Sequence, residues 1–184
     1  MTEIFKNLDS SFGELKKVRT ITVCAMMVAA SIVLSLYSIK IGPFIKIGLG
    51  TIVNQAVASL FGGVVGAIFN TITNVVKYFI KPDGDFAIAF TLNAALAGLI
   101  YGISYYKHPI TVPRIVVTQF IVSLICNVII GTYLLHILYG KVIMAILPAR
   151  VIKNLVMLPI DTFIFYGVSQ MLQNIKHKFI YSKA

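Results

Sequence analysis

The sequence predicts an all-α integral membrane protein, a single bundle of six transmembrane helices, and three observations carry that expectation. Of its 184 residues, 58% are hydrophobic and 12% charged, where an ordinary soluble domain has roughly 25% charged residues. Mean hydropathy is +0.91. The apolar residues gather into six stretches, each closed by turn residues or charge, and the cations collect at the two ends of the chain.

The first stretch, residues 20–39, is long enough to cross a hydrocarbon core of about 30 Å. It exceeds the core of a signal peptide and has no small-residue cleavage pattern behind it, so it is read as a span. The second, residues 49–60, would reach only about 18 Å at 1.5 Å per residue, and is expected to lie at an angle or to continue into the loop before it. The third, 63–80, follows a break at Gly62-Gly63. The fourth, 86–106, follows the turn Lys81-Pro82-Asp83-Gly84-Asp85. A fifth begins near residue 111 and fades around 134. The sixth is expected to start at Pro148, because proline suits a first helical position, and to reach about residue 175. Residues 135–146 then read as an apolar loop that covers something. The whole of 1–184 is one membrane domain, flanked by short cytoplasmic segments, 1–17 and 176–184.

Six spans place both termini on one side of the bilayer, and the count of Lys and Arg decides which. One side holds Lys6, Lys16, Lys17, Arg19, Lys107, Arg114, Lys176, Lys178 and Lys183, nine cations, against five on the other, Lys40, Lys46, Lys77, Lys81 and Lys141. Both termini are therefore expected in the cytoplasm, beneath a plasma membrane whose anionic headgroups attract the terminal cations. The net charge of +10 belongs to these anchors and not to a folded basic domain, which argues against nucleic acid as a partner.

Catalytic chemistry has little to work with. The acidic residues are Glu3, Asp9, Glu14, Asp83, Asp85 and Asp161; no Walker lysine motif, dinucleotide fingerprint or acidic metal cluster is present, so no cofactor or metal is expected and ATP-driven work falls to partners. Cys24 and Cys126 read as buried thiols, and His108, His136 and His177 are scattered.

Polar residues inside the spans fall on helical faces. Asn70, Asn74, Lys77 and Tyr78 follow i, i+4, i+7, i+8; Gln119, Ser123 and Asn127 make a second face; Arg150, Lys153, Asn154, Met157 and Asp161 make a third. Such faces turn inward, either to bond neighbouring helices or to hold a ligand. Both readings stand for Asn70. Gln119 and Asp161 read as structural, while Asn74, Lys77 and Asn127 read as ligand contacts nearer the outer end. Arg150 and Lys153, one helical turn apart in an apolar setting that makes charge costly, make a clamp for an anion. Small residues repeat at i, i+4 as Ala25/Ala29, Gly62/Gly66, Gly63/Ala67, Ala94/Gly98 and Gly98/Gly102, a spacing that lets helices approach closely. Around Ala25 and Ala29, Cys24 and Ala30 extend a smooth patch suited to receiving another protein's helix.

Ile137-Leu138-Tyr139-Gly140-Lys141, followed by Leu147-Pro148-Ala149-Arg150-Val151-Ile152-Lys153-Asn154, resembles the signature of the substrate-binding (S) components of energy-coupling factor (ECF) transporters, in their folate family. Lys46-Ile47-Gly48-Leu49-Gly50, Phe61-Gly62-Gly63-Val64-Val65-Gly66-Ala67 and the segment from Phe90 to Gly102 are similar more loosely, and the resemblance spans about residues 18–173. Gly131-Thr132-Tyr133-Leu134-Leu135 stands where the group more commonly has Asn-Thr-Leu-Trp-Leu. The resemblance implies six helices, an outward-facing vitamin pocket, and docking through Ala25 and Ala29 on a transmembrane scaffold (T) subunit that works with two ATPase subunits. For a folate-like vitamin, the pterin ring needs aromatic walls, for which Phe44, Tyr78, Phe86, Phe90 and Tyr139 are candidates. Asn74, Asn93 and Asn127 are candidates for reading its edge, and Lys46, Lys77, Arg150 and Lys153 for its carboxylate tail. Another small vitamin or heterocycle remains the alternative ligand. A structural or assembly subunit is the alternative from another class; a self-sufficient transporter and a small membrane enzyme are weaker ones.

Overall fold

The computed structural model describes residues 2–37, 39–41, 45–47, 50–80, 87–140 and 143–181. Eight α-helices appear among them: α1 (Thr2–Leu15), α2 (Val18–Leu36), α3 (Gly50–Phe61), α4 (Gly63–Ile80), α5 (Ile88–Tyr105), α6 (Val112–Val122), α7 (Gly131–Tyr139) and α8 (Ile143–Tyr181). A π-helical stretch, Ser123–Ile130, joins α6 to α7, so that Val112–Ile137 forms one apolar span. Together with α2, α4, α5 and the Arg150–Leu172 part of α8, this gives five helices long and apolar enough to cross a membrane. The sixth member of the bundle is the short α3.

Helix α3 is short because it faces protein and not lipid. Ile52, Val53, Gln55, Ala56, Val57, Ala58 and Ser59 are all buried, packed between two apolar clusters. In one, Tyr101 stacks on Tyr105 and Tyr105 on Phe165, with ring centroids 6.1 and 5.1 Å apart, beside Ile115, Val122 and Cys126. In the other, Val53, Val57, Val65 and Phe69 meet Cys24, Met27 and Val28 of α2. The outward faces are apolar too: Met26, Phe79, Leu92, Phe163 and Met171 are exposed. A continuous apolar exterior of this kind suits lipid and would be a liability in water.

The closest helix pair is α4 with α5. A β-carbon at Gly98 would fall on the backbone of Gly66, and one at Gly102 on the backbone of Gly63. The small-residue spacings on these two helices are thus a packing seam, where backbones touch because side chains are missing.

Three features depart from the sequence-based expectation. Residues 2–15 are not a bare flanking segment but a helix, since Ile4, Phe5, Leu8, Phe12 and Leu15 recur at helical spacing among polar residues. Buried Ser11 donates to the Phe61 carbonyl (2.8 Å) and accepts from the Val65 amide (3.3 Å), closing the break between α3 and α4 from outside. The first span stops at Leu36, and Ile39–Ile41 pairs antiparallel with Ile45–Ile47, Lys40 opposite Lys46; the isoleucine alternation has a period of two, which suits strand and not helix. Finally, α8 starts at Ile143 and passes through both Pro148 and Pro159. Pro148 is therefore inside the helix and does not begin it, and most of the supposed apolar loop 135–146 is helical. Proline costs the ladder one bond, an interruption that a packed membrane helix tolerates.

Candidate ligand-binding site

The end of the bundle remote from α1 gathers two groups of polar residues. The first forms around the π-helical stretch. Its wider turn alters the regular carbonyl ladder, and the exposed carbonyls are met by side chains. Asn93 Nδ2 of α5 donates to the Cys126 carbonyl at 2.9 Å, and Arg150 Nη1 of α8 donates to the Asn127 carbonyl at 2.7 Å. The guanidinium also packs against Gly131, whose missing side chain leaves room for it.

Several atoms of this group keep unused bonding capacity. Asn93 Oδ1, Thr132 Oγ1 and Arg150 Nε are buried with no hydrogen-bond partner among the described residues, as are Asn70 Oδ1 and Thr73 Oγ1 on α4. Arg150 forms no ion pair among the described residues. A half-buried cation with no counter-charge among the described residues is costly, and an anionic ligand would relieve it. Lys153 is half-buried one turn along α8, and its charge acts on Asp161.

The second group joins α2, α3, α4 and α5. Lys77 Nζ donates to Ser31 Oγ at 2.8 Å, and Ser31 in turn reaches the Gly50 carbonyl (3.4 Å) and Asn54 Oδ1 (3.5 Å). Thr91 donates to Asn74 Oδ1 at 3.4 Å. Half-buried Phe90 precedes Asn93 by three residues and so shares its face of α5. Half-buried Tyr78 meets Phe79 edge-on, with centroids 6.0 Å apart. The first two turns of α5 therefore connect both groups.

The sequence-derived candidates divide accordingly. Arg150, Asn93 and Asn127 come together, although Asn127 contributes its carbonyl and its side chain is exposed. Asn74, Lys77, Tyr78 and Phe90 lie on the neighbouring faces of α4 and α5. Phe44 and Phe86, and the side chains of Lys46 and Tyr139, lie outside the described residues. Sequence reasoning missed Ser31, Asn54, Thr91 and Thr132. Each is a short polar residue in an apolar run, and only the packing reveals which neighbour it serves. Gln119 donates to Gln55 Oε1 at 3.3 Å, an interhelical bond in keeping with its structural reading, and Asn70 Nδ2 donates to the Ala94 carbonyl at 3.1 Å.

A helical bundle sheathed in apolar side chains, with most of the buried polar atoms that lack a partner among the described residues, and a guanidinium without an ion pair among them, gathered in one half, has the architecture of a membrane-embedded binding component of a transport system. Residues 19–169 match the family described as ECF transporter, substrate-specific component, and the chain belongs to it. It is similar to the folate transporter FolT of Clostridium novyi, 28% identical over 162 residues that cover 88% of this chain and 94% of that protein. The folate transporter FolT of Leuconostoc mesenteroides is 28% identical over 179 residues, 94% of this chain and 90% of that one. Among solved structures, that of FolT bound with folic acid superposes with a TM-score of 0.78 at 27% identity, covering 84% of this chain and 95% of that one.

Proposed function

We propose that this S component captures folate, or a reduced folate, at the outer face of the plasma membrane for an ATP-driven importer. The observation that carries the reading is Arg150, half-buried, without a counter-charge among the described residues, and with a buried Nε that has no partner among them, near Asn93 and Thr132. A glutamate carboxylate supplies the missing charge, and a guanidinium binds it through two parallel hydrogen bonds. Asn93 Oδ1 and the Thr132 hydroxyl offer polar contacts for a heterocycle edge, and Phe90 and Tyr78 offer ring faces. Lys153 and Lys77 add positive field on either side, with Lys46, Phe44, Phe86 and Tyr139 as further candidates.

In this reading both termini are cytoplasmic, and a T subunit with two ATPases supplies the energy. Ala25 and Ala29 are exposed on α2, where a partner helix can dock. Native mass spectrometry of the gently purified protein, followed by calorimetric titration with folic acid, tests the ligand: a retained folate and saturable binding are expected, and retention of a different vitamin would overturn the choice. Orientation is tested by Gly13→Cys, where a side chain meets nothing within 4 Å. An impermeant maleimide added to intact cells should leave that cysteine unmodified.

A further inference from the structure

A second polar site lies at the opposite end of the bundle, beside α1. A half-open cavity of about 310 Å³ is lined by the last residues of α3, the loop between α5 and α6, and the later part of α8. It is at the lower limit of ligand-pocket sizes. Its lining divides into two kinds of surface. Lys107, His108, Ser59 and Ser169 are polar, Leu60, Ile110 and Leu172 are apolar, and no carboxylate lines it among the described residues.

The geometry of the loop is fixed at some cost. Lys107 adopts a left-handed backbone, φ 59°, a conformation that long side chains avoid. It is held there by a 2.7 Å bond from its ammonium to Ser10 Oγ of α1 and by its position 5.2 Å from the centre of the Tyr106 ring. Arg114 Nη1 ties down the Pro109 carbonyl at 2.9 Å. Backbone strain that several contacts jointly maintain is commonly found where a ligand is held. The two serines donate to carbonyls of their own helices, Ala56 (2.7 Å) and Tyr166 (2.8 Å). Those carbonyls belong to helical ladders, so the hydroxyls can turn to a ligand at little cost. Tyr105, which also lines the cavity, is 1% exposed, and its hydroxyl has no partner of ordinary geometry among the described residues. The neighbouring Thr118 hydroxyl is committed to the Arg114 carbonyl (2.8 Å).

We propose that this cavity binds a phosphate group, with the headgroup of an anionic phospholipid from the adjoining leaflet as its source. The Lys107 ammonium, the His108 ring and the hydroxyls meet the phosphate, and Leu60, Ile110 and Leu172 meet the glycerol and the first methylenes. Basic pockets between helices at the cytoplasmic surface are suited to such headgroups. A free phosphate ion presents the same group without the apolar part, and the experiment separates the two.

The test uses the full chain in nanodiscs of phosphatidylglycerol or of phosphatidylcholine, with native mass spectrometry counting retained lipids. The wild-type protein should keep one phosphatidylglycerol that Lys107→Asn with His108→Gln loses, while folic acid binding is unchanged. Asparagine tolerates the left-handed backbone, so the loop should survive. His108→Gln alone, which leaves Lys107 in place, should lower retention several-fold and serves if the double variant fails to fold. A melting temperature raised by inorganic phosphate in phosphatidylcholine, and insensitive to phosphatidylglycerol, would assign the phosphate site to the free ion. Equal lipid retention by wild type and variants, with no phosphate-dependent shift in melting, would overturn the proposal.

Discussion

The two ends of the bundle are made from similar residues and finished differently. At the α1 end, most polar side chains have partners within the fold: Ser11 bridges α3 and α4, Lys107 reaches Ser10, Arg114 holds Pro109, and Lys17 pairs with Glu14 at 2.7 Å. The Tyr105 hydroxyl, beside the cavity there, is the exception. In the opposite half, Asn70, Thr73, Asn93, Thr132 and Arg150 each keep a buried atom with no partner among the described residues. An unmade hydrogen bond in a buried site costs about 1–3 kcal/mol, so several together are hard to explain as packing. The α1 end spends most of its polar groups on fastening the bundle, apart from the cavity beside Tyr105, while the other end holds more bonding capacity in reserve, in keeping with the proposed ligand site.

The largest effect should come from neither end but from the exposed flank of α2, which tests whether binding and transport are separate properties. Ala25 and Ala29 are exposed, so Ala25→Leu with Ala29→Leu leaves the bundle interior untouched while roughening the proposed docking patch. Uptake should fall to background while folic acid titrates nearly as in the wild type. Loss of binding in a variant that still co-purifies with its T subunit would show that the patch belongs to the pocket.

At the ligand end, Arg150→Ala should weaken binding by roughly 2–5 kcal/mol, about 30-fold to several thousand-fold, because it removes one side of a desolvated charge pair. Arg150→Lys should recover only part, since an ammonium has no planar fork. The contact with the Asn127 carbonyl adds a stability cost of about 1–3 kcal/mol for the acceptor left behind. Calorimetry and melting of the same samples separate the two. If the melting temperature falls while the folded fraction binds normally, Arg150 is only a brace for the π-helical stretch.

This double duty explains what the sequence could and could not disclose. Hydropathy exposes the spans because lipid imposes it residue by residue: the third apolar stretch, 63–80, coincides with α4. Arg150, Asn93 and Lys77 stand out for the same reason, as polar groups in expensive places. The π-helical stretch has no comparable signal. It depends on one extra residue per turn in a run, Ser123–Ile130, whose composition suits an ordinary helix equally well. Ser31 and Thr91 were overlooked because a lone hydroxyl in an apolar helix usually bonds its own preceding turn, as Thr71 does with the Ala67 carbonyl at 2.9 Å. Pro148 was misread because a preference for first helical positions, sound in water, weakens where neighbouring helices support the chain.

The fastened end offers a smaller perturbation. Gly62 has φ 93°, and a β-carbon there would lie 2.7 Å from Ser11 Oγ. Gly62→Ala should destabilise by about 1–3 kcal/mol, combining a strained backbone with a close contact. Thermal melting reads this directly, and the folded fraction should bind folic acid as the wild type does.

The smallest expected effect is the most exacting test of the division between the ends. Ser11→Ala removes a single oxygen that closes α3 at the Phe61 carbonyl and caps α4 at the Val65 amide. A helix cap is worth about 1 kcal/mol, and the alanine fits the space that serine leaves. The melting temperature should drop by a few degrees. Folic acid affinity should not change, because α4 runs its full length between this cap and Lys77 at the other end. Should affinity fall along with the cap, the fastened end would be coupled to the pocket through α4, and the two ends would have to be treated as one device. An unchanged affinity with a lowered melting temperature would leave stability and binding lodged in separate halves of the bundle.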